Sequence, residues 1–263
     1  MACKGHETVG IVAALGKDVK GFEIGERVVA DNSELCNECF YCRRGQLLLC
    51  ENFNAHGVTM DGGFAEYCAY SAGKVFKIHN LSDVDATLLE PASCAAHGLE
   101  KIAPKMGSRM EAVMSSWLLL RVCFFLEAAS EIFADKVLGL KMDLARKLDS
   151  ADVYIELSRT NPEAQFQKLK AENPYGFDIV VEATGSPRIL EDAINYVRRG
   201  GKLVVYGGSF SETYMFPTAI NYLDSGKVKV GGIVNKTFKL EQWGECLESL
   251  KNKSAIKAAI TFD

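Results

Sequence analysis

Cys36, Cys39 and Cys42 stand at strict three-residue intervals in the stretch DNSELCNECFYCRRGQLLLCE, and Cys50 follows eight residues later. Four thiolates converging on one point form a closed tetrahedral shell for a soft cation with a filled d shell, and zinc is the usual occupant. The short spacing lets three ligands curl around the metal from one knuckle while the fourth closes the loop. Arg43 and Arg44 offset part of the negative charge. Four protein ligands leave no position for substrate, so such a site is structural. Two disulfides, space-filling thiols and an iron–sulfur cluster are the competing uses of this spacing. A second set is Gly5-His6-Glu7, where an imidazole and a carboxylate side by side either bind a metal together or divide binding and orientation between them. Taken alone, such a pair is usually plain surface. Glu90 lies in the apolar run LLEPASCAA. A charge there needs a partner, so it is paired, protonated or near a metal.

The elements that must position these residues change character along the chain. Val9 to Ala14 and Arg27 to Ala30 are β-branched and apolar, with the glycine-rich GKDVKGFEIGE between them, which predicts an antiparallel all-β beginning. Asp61-Gly62-Gly63 predicts a tight turn into a strand over Phe64 to Tyr70, and Val75 to Ile78 predicts another. Asp83 or Asp85 can cap a helix through ATLLEPASCAAHGLEKI, with Pro91 early enough to be tolerated.

Beyond Leu81 apolar strands alternate with amphipathic helices. Strands are expected at 132–134, 153–155, 177–182 and 203–206, and helices at 141–148, 162–171 and 187–199. FDIVVE at 177–182 is a near-continuous apolar run of the kind covered on both faces in a parallel sheet. The alternation predicts a doubly wound α/β unit. Helices at 219–223 and 240–252 and a strand at 255–261 close the chain.

Composition bounds the function. At 263 residues and 48% hydrophobic, one or two domains are expected, and a net charge of −4 gives no footing for nucleic-acid binding. MACKGHETVG has no apolar signal region, so the nine cysteines are expected reduced, in the cytoplasm. The longest apolar run, 112–126, contains Ser115, Ser116 and Arg121 and is too short and polar for a membrane span.

GHETVG, the four-cysteine loop, DGGFAEY at 61–67, LLEPASCAAHGL at 88–99, and DIVVEATGS followed by GGKLVVYG together resemble the zinc-dependent medium-chain alcohol and polyol dehydrogenases, with sorbitol, xylitol and arabitol dehydrogenases the nearest likeness. The resemblance implies an α/β chain with a partial GroES-like β-barrel at 1–94, a Rossmann-like doubly wound parallel sheet at 95–208, and a segment at 209–263 returning to the catalytic domain, both domains incomplete. It implies hydride transfer from a polyol or secondary alcohol to a nicotinamide cofactor. Carried over by motif, Cys36, Cys39, Cys42 and Cys50 hold the structural zinc. His6 is a catalytic-zinc ligand, Glu7 a neighbouring ligand or orienting carboxylate, and Glu90 sits at that metal or on its water. Carboxylate in place of thiolate suits the polyol branch. Asp135 is placed to grip the ribose hydroxyls, favouring NAD over NADP, though an acid there also serves as a helix cap. Thr184 and Gly185 are placed to line the cofactor. The implied partner is a small polyol or alcohol, with no nucleic acid and no membrane; relatives form dimers or tetramers, so a homo-oligomer is compatible.

Three departures qualify these expectations. The chain begins almost at His6, so the opening barrel strands, and with them the family's first zinc-ligating cysteine, are expected to be absent; Cys3 is a poor substitute, because the fold brings that ligand from a separate strand. The stretch from Ser108 to Ala129 contains no glycine where the family has a glycine-rich phosphate turn. A reading-frame slip there is a hypothesis the nucleotide sequence would decide. Tyr206-Gly207-Gly208-Ser209 joins parts that relatives separate by a further strand. The reading that follows is a zinc polyol dehydrogenase by descent with little turnover; the alternative is a catalytically impaired zinc-binding fragment of such an enzyme.

Overall fold

The computed structural model describes residues 3–113, 129–135, 139–156, 158, 160–183, 186–206 and 213–262. Two compact units are present, one made of Met1–His97 with Phe210–Asp263 and the other of Gly98–Ser209. The first begins with β1 (Val9–Ile11), β2 (Arg27–Ala30), β3 (Ser33–Glu34), β4 (Asn54–Ala55) and β5 (Val75–Lys77), followed by α1 (Asp83–Ala86) and α2 (Leu89–Ile102), which runs on into the second. β2 is central in an antiparallel sheet with β1 and β5, and β3 pairs with β4. Val29 and Ala30 are the buried residues of β2. The expected partial barrel thus stands as open sheets, with no closed barrel among the described residues.

Two local expectations for this unit are corrected. Phe64 to Tyr70 forms no strand. The amides that would start a ladder are taken by a loop instead: Gly62, Gly63 and Phe64 donate to the carbonyls of Cys3, Gly5 and Lys4 at 2.9, 2.7 and 2.8 Å. The cap of α1 is Ser82 rather than Asp83 or Asp85. Its Oγ accepts the Asp85 N–H at 3.0 Å and donates to the Asp85 carboxylate at 2.9 Å, a hydroxyl cap that satisfies an orphan donor of the first turn. Pro91 sits in the first turn of α2, where a missing N–H costs nothing.

In the second unit the order is β6 (Ser108–Val113), β7 (Ala129–Asp135), α3 (Leu140–Leu148), β8 (Val153–Ile155), α4 (Pro162–Glu172), β9 (Phe177–Glu182), α5 (Pro187–Ala193) and β10 (Val197–Val205). The strands form one parallel sheet in the spatial order β8-β7-β6-β9-β10. This is the third, second, first, fourth and fifth strand of the unit, the doubly wound order in which chain direction across the sheet reverses beside the first strand. Ile179 and Val181 pack with Ile102, Met110 and Met142, while Val180 packs with Phe177, Leu169 and Ala193. β9 is therefore covered on both faces, which is why its sequence carries no polar alternation.

Here the expected helix over 187–199 ends early. α5 stops at Ala193, a single 3₁₀ turn follows, and β10 starts at Val197, well ahead of Leu203. Val197 pairs with Phe177, and Arg198 is held by Asp178, whose Oδ1 lies 2.7 Å from both Nε and Nη2. The register then shifts before Lys202, with Gly200 at φ +74°, a left-handed conformation that glycine adopts without a Cβ clash.

The chain returns to the first unit with α6 (Phe216–Asp224), β11 (Val234–Phe238), α7 (Trp243–Lys251) and β12 (Lys257–Ile260), β11 and β12 forming a parallel pair. Thr213 fastens this return by donating at 2.5 Å to the fully buried Asp31, which also accepts from Lys74 at 2.9 Å. The Asp224 carboxylate accepts the backbone N–H groups of His79, Asn80 and Leu81 at 3.3, 3.1 and 3.0 Å. Of the Tyr206–Ser209 junction, all but Tyr206 lies outside the described residues. No helix among the described residues is long and apolar enough to cross a membrane.

Asp178 joins three strands: the Arg109 backbone N–H and the Arg198 guanidinium hold its carboxyl below the usual carboxylate range against the opposing effect of burial. A depressed folded pKa adds stability above the unfolded value of about 3.9 and loses it as pH falls through the folded value. Asp178→Asn is expected to lower unfolding free energy by about 1–2 kcal/mol at neutral pH, as for a hydrogen-bonded charge. In chemical denaturation the gap to the parent should close toward pH 3; a gap independent of pH would refute this role.

Candidate metal centres and the cofactor edge

The 3₁₀ turns Cys42–Arg44 and Leu47–Leu49 fold the cysteine loop back on itself. Cys39, Cys42 and Cys50 are buried and Cys36 half-buried. The Cys36 and Cys50 sulfurs are 3.5 Å apart, those of Cys36 and Cys42 4.0 Å, and all four lie within 4.8 Å of one another. Tetrahedral bonds of about 2.3 Å place sulfurs about 3.8 Å apart, so the cluster fits zinc. No cysteine among the described residues is in a disulfide. Backbone N–H groups point at the sulfurs, Cys36 to Cys50 at 3.4 Å and Cys42 to Cys39 at 3.5 Å. Hydrogen bonds from the Glu38 and Cys39 backbones bring the Cys36 thiol down to about 6, and Cys39 is lowered by the Cys42 and Glu51 backbones. Burial pushes Cys42 up to about 12. These backbone donors favour the thiolate form of Cys36, the form in which sulfur binds a cation. Arg44 lies over the Phe40 ring, its guanidinium carbon 3.4 Å from the centroid.

His6, Glu7 and Glu90 form the other cluster, with one donor atom from each within 4.8 Å of the others. His6 and Glu7 lie on the irregular segment before β1, which the loop from His56 to Phe64 grips by its backbone. A Cβ on Gly57 or on Gly62 would stand 2.3 Å from the Gly5 carbonyl oxygen, so both positions require glycine. Glu90, 5% exposed, comes from the first turn of α2, and the Cys94 thiol donates to its Oε1 at 3.6 Å. The Glu7 Oε2 accepts from Lys257 Nζ, while its Oε1 is buried with no hydrogen-bond partner among the described residues. Leaving a buried charged acceptor unsatisfied costs more than about 1–3 kcal/mol. An imidazole and two carboxylates with an orphaned oxygen among them fit a divalent cation of the zinc type.

The sequence marked His6, Glu7 and Glu90 but gave no sign of Lys257, 250 residues from Glu7. Gly57 was equally silent; a glycine outside a turn motif is the only signal it carries.

In the second unit β6 lies between β7 and β9, so the strand order reverses there and ligands of such sheets bind beyond the carboxyl ends at that point. Asp135 is the last residue of β7, paired with Val113, the last of β6, and with Ile155. Thr184 and Gly185 come after β9 in the sequence and lie outside the described residues, as do 114–128 after β6.

Two family models match the chain, the alcohol dehydrogenase GroES-like domain over residues 2–80 and the zinc-binding dehydrogenase over 124–251. D-arabinitol dehydrogenase 1 of Uromyces fabae is 44% identical over 97% of this chain and 80% of its own length. An L-threonine 3-dehydrogenase of Yersinia pestis is 32% identical over 77% of this chain, and the match spans 59% of that relative. Among solved structures, alcohol dehydrogenase TADH from Thermus sp. ATN1 superposes with a TM-score of 0.85 at 24% identity, covering 98% of this chain and 84% of that one.

Zinc at 100 times its Kd would stabilise the four-thiol lobe by about 2.7 kcal/mol. Addition of a strong chelator is therefore expected to lower the melting temperature of the parent, and Cys39→Ser to lower it without further response at that lobe and with one ion fewer per chain by elemental analysis. Equal metal content in the two proteins would exclude the four-sulfur centre.

Proposed function

Because the chain belongs to the zinc-binding medium-chain alcohol and polyol dehydrogenases, we propose that it oxidises a small polyol, of the pentitol class, by hydride transfer to a nicotinamide cofactor. The observation that carries this reading is the His6, Glu7 and Glu90 donor set within 4.8 Å, beside a separate four-sulfur lobe. The reaction passes one hydride from the carbinol carbon to the oxidised nicotinamide and one proton from its hydroxyl to solvent, leaving a ketose. A zinc ion at the donor set supplies Lewis-acid polarisation of that hydroxyl, bringing its ionisation toward neutral pH.

The chain's own residues supply the rest. His6 holds the ion through an imidazole nitrogen, and Glu90, nearly dry at the start of α2, places a carboxylate at the ion or on its water. Glu7 is the neighbouring ligand or orienting carboxylate. Oxygen donors in place of sulfur suit a polyol, which presents several hydroxyls to one hard centre. Cys36, Cys39, Cys42 and Cys50 hold the structural ion and take no part in the reaction. We assign 1–94 to the catalytic domain, 95–208 to the cofactor domain and 209–263 to the returning segment of the catalytic domain. Asp135 grips the ribose hydroxyls and sets NAD above NADP, since a carboxylate there repels a 2′-phosphate. Thr184 and Gly185 line the cofactor, and the enzyme works in the cytoplasm.

A second reading, a zinc-binding chain with an impaired cofactor site, is favoured by the absence of glycine from Ser108 to Ala129. Turnover of D-arabinitol and related pentitols with NAD, followed by NADH absorbance, separates the two when run beside calorimetric titration of NAD. The expected outcome is slow, pentitol-dependent NADH formation that His6→Ala abolishes. Retained zinc with neither NADH formation nor heat on NAD addition would establish the second reading instead.

A further inference from the structure

Lys257 is the feature that the proposed chemistry does not use. It opens β12 and, with its side chain 16% exposed, reaches across to Glu7, whose side chain is equally covered. A second contact joins the same stretches of chain, for the ring of Trp243 at the start of α7 stands 5.4 Å from that of Phe64. Phe64 in turn abuts Gly5, where an added Cβ would lie 2.5 Å from the ring. The returning segment therefore braces residues 5–7 twice, once through an apolar ring contact and once through a charge.

The charge has a local reason. Glu7 and Glu90 place donor oxygens within 4.8 Å of each other and of His6. Two carboxylates so close in a poorly hydrated place call for positive charge beside them. Of the two Glu7 oxygens the Lys257 ammonium holds Oε2, and Oε1 is buried with no hydrogen-bond donor among the described residues.

We propose that Lys257 is a positioning residue of the metal centre: its ammonium pins one oxygen of Glu7, offsets the paired carboxylates, and presents the other oxygen to the cation. The proposal rests on the reading of His6, Glu7 and Glu90 as that centre. It makes the far end of the chain a determinant of metal affinity, although Lys257 touches neither the ion nor the substrate.

Zinc titrated into the metal-free full chain against a competing chromophoric chelator tests this without recourse to turnover. The unsubstituted chain should take up two ions. Lys257→Met should weaken one of them on the order of 10–100-fold, the usual cost of losing a residue that orients a ligand, while the ion of the four-cysteine lobe stays tight and reports that the chain is folded. Lys257→Arg, which keeps the charge, should restore the weaker ion to within a few-fold. In a Glu7→Gln background Lys257→Met should cost nothing further, because its effect passes through the carboxylate. Two ions of parental affinity in Lys257→Met would overturn the role of Lys257 alone. Loss of both ions would overturn it too, showing a purely structural residue, and a single ion in the unsubstituted chain would overturn the centre itself.

Discussion

Anionic side chains do not share a dry site without a cation between or beside them, and the first unit is built around that constraint. His6, Glu7 and Glu90 bring one donor each within 4.8 Å, and Glu90 is almost removed from water. None of the three is placed by a neighbour in sequence. His6 and Glu7 sit on a segment with no regular structure, gripped by the backbone of residues 57–64, whereas Glu90 arrives on α2. This donor set is thus assembled from chain regions that each need separate anchoring, and the glycines at 57 and 62 are that anchoring on one side.

The cysteine lobe obeys the same electrostatics with the opposite topology. Its four sulfurs come from fifteen consecutive residues, 36–50, and their charge is moderated by backbone N–H groups of the same loop. Such a centre is self-contained and can be written into a short sequence. The His6, Glu7 and Glu90 set cannot, because its donors come from two distant stretches, one gripped by residues 57–64 and the other carried by α2, with Lys257 of β12 on Glu7.

That difference explains what was legible beforehand. The cysteine cluster could be read from spacing, and β8 and β9 from short apolar runs whose burial on both faces removes any polar alternation. The start of β10 could not: Val197-Arg198-Arg199-Gly200 looks like the basic, glycine-closed end of a helix, and only the pairing of Val197 with Phe177 and of Arg198 with Asp178 turns it into strand. Phe64 to Tyr70 is the converse case, since β-prone residues form a strand only when a partner strand takes their amides, and the Phe64 amide goes to Lys4 in a segment without regular structure. Ser82 caps α1 because its hydroxyl binds both the N–H and the carboxylate of Asp85, which leaves that aspartate bound to the cap instead of being one. Lys257 leaves no local trace at all, for KAAI is an ordinary strand until the fold brings Glu7 to it.

Where the strand order of the second unit reverses, two features come from separate parts of the chain. The register of β7 on β6 runs from Ser108 paired with Ala129 to Val113 paired with Asp135. Parallel strands need a crossover of a dozen residues or more, and 114–128 supplies fifteen whatever their composition. The place of Asp135 at the end of its strand is therefore fixed by ladder pairing, not by the content of the crossover. Grip on a pyrophosphate has a different origin, in backbone amides that only glycine lets a phosphate approach, and this crossover contains no glycine. The pairing that places Asp135 and the turn that would hold a pyrophosphate are therefore separate elements, and the first stands whatever the second contains.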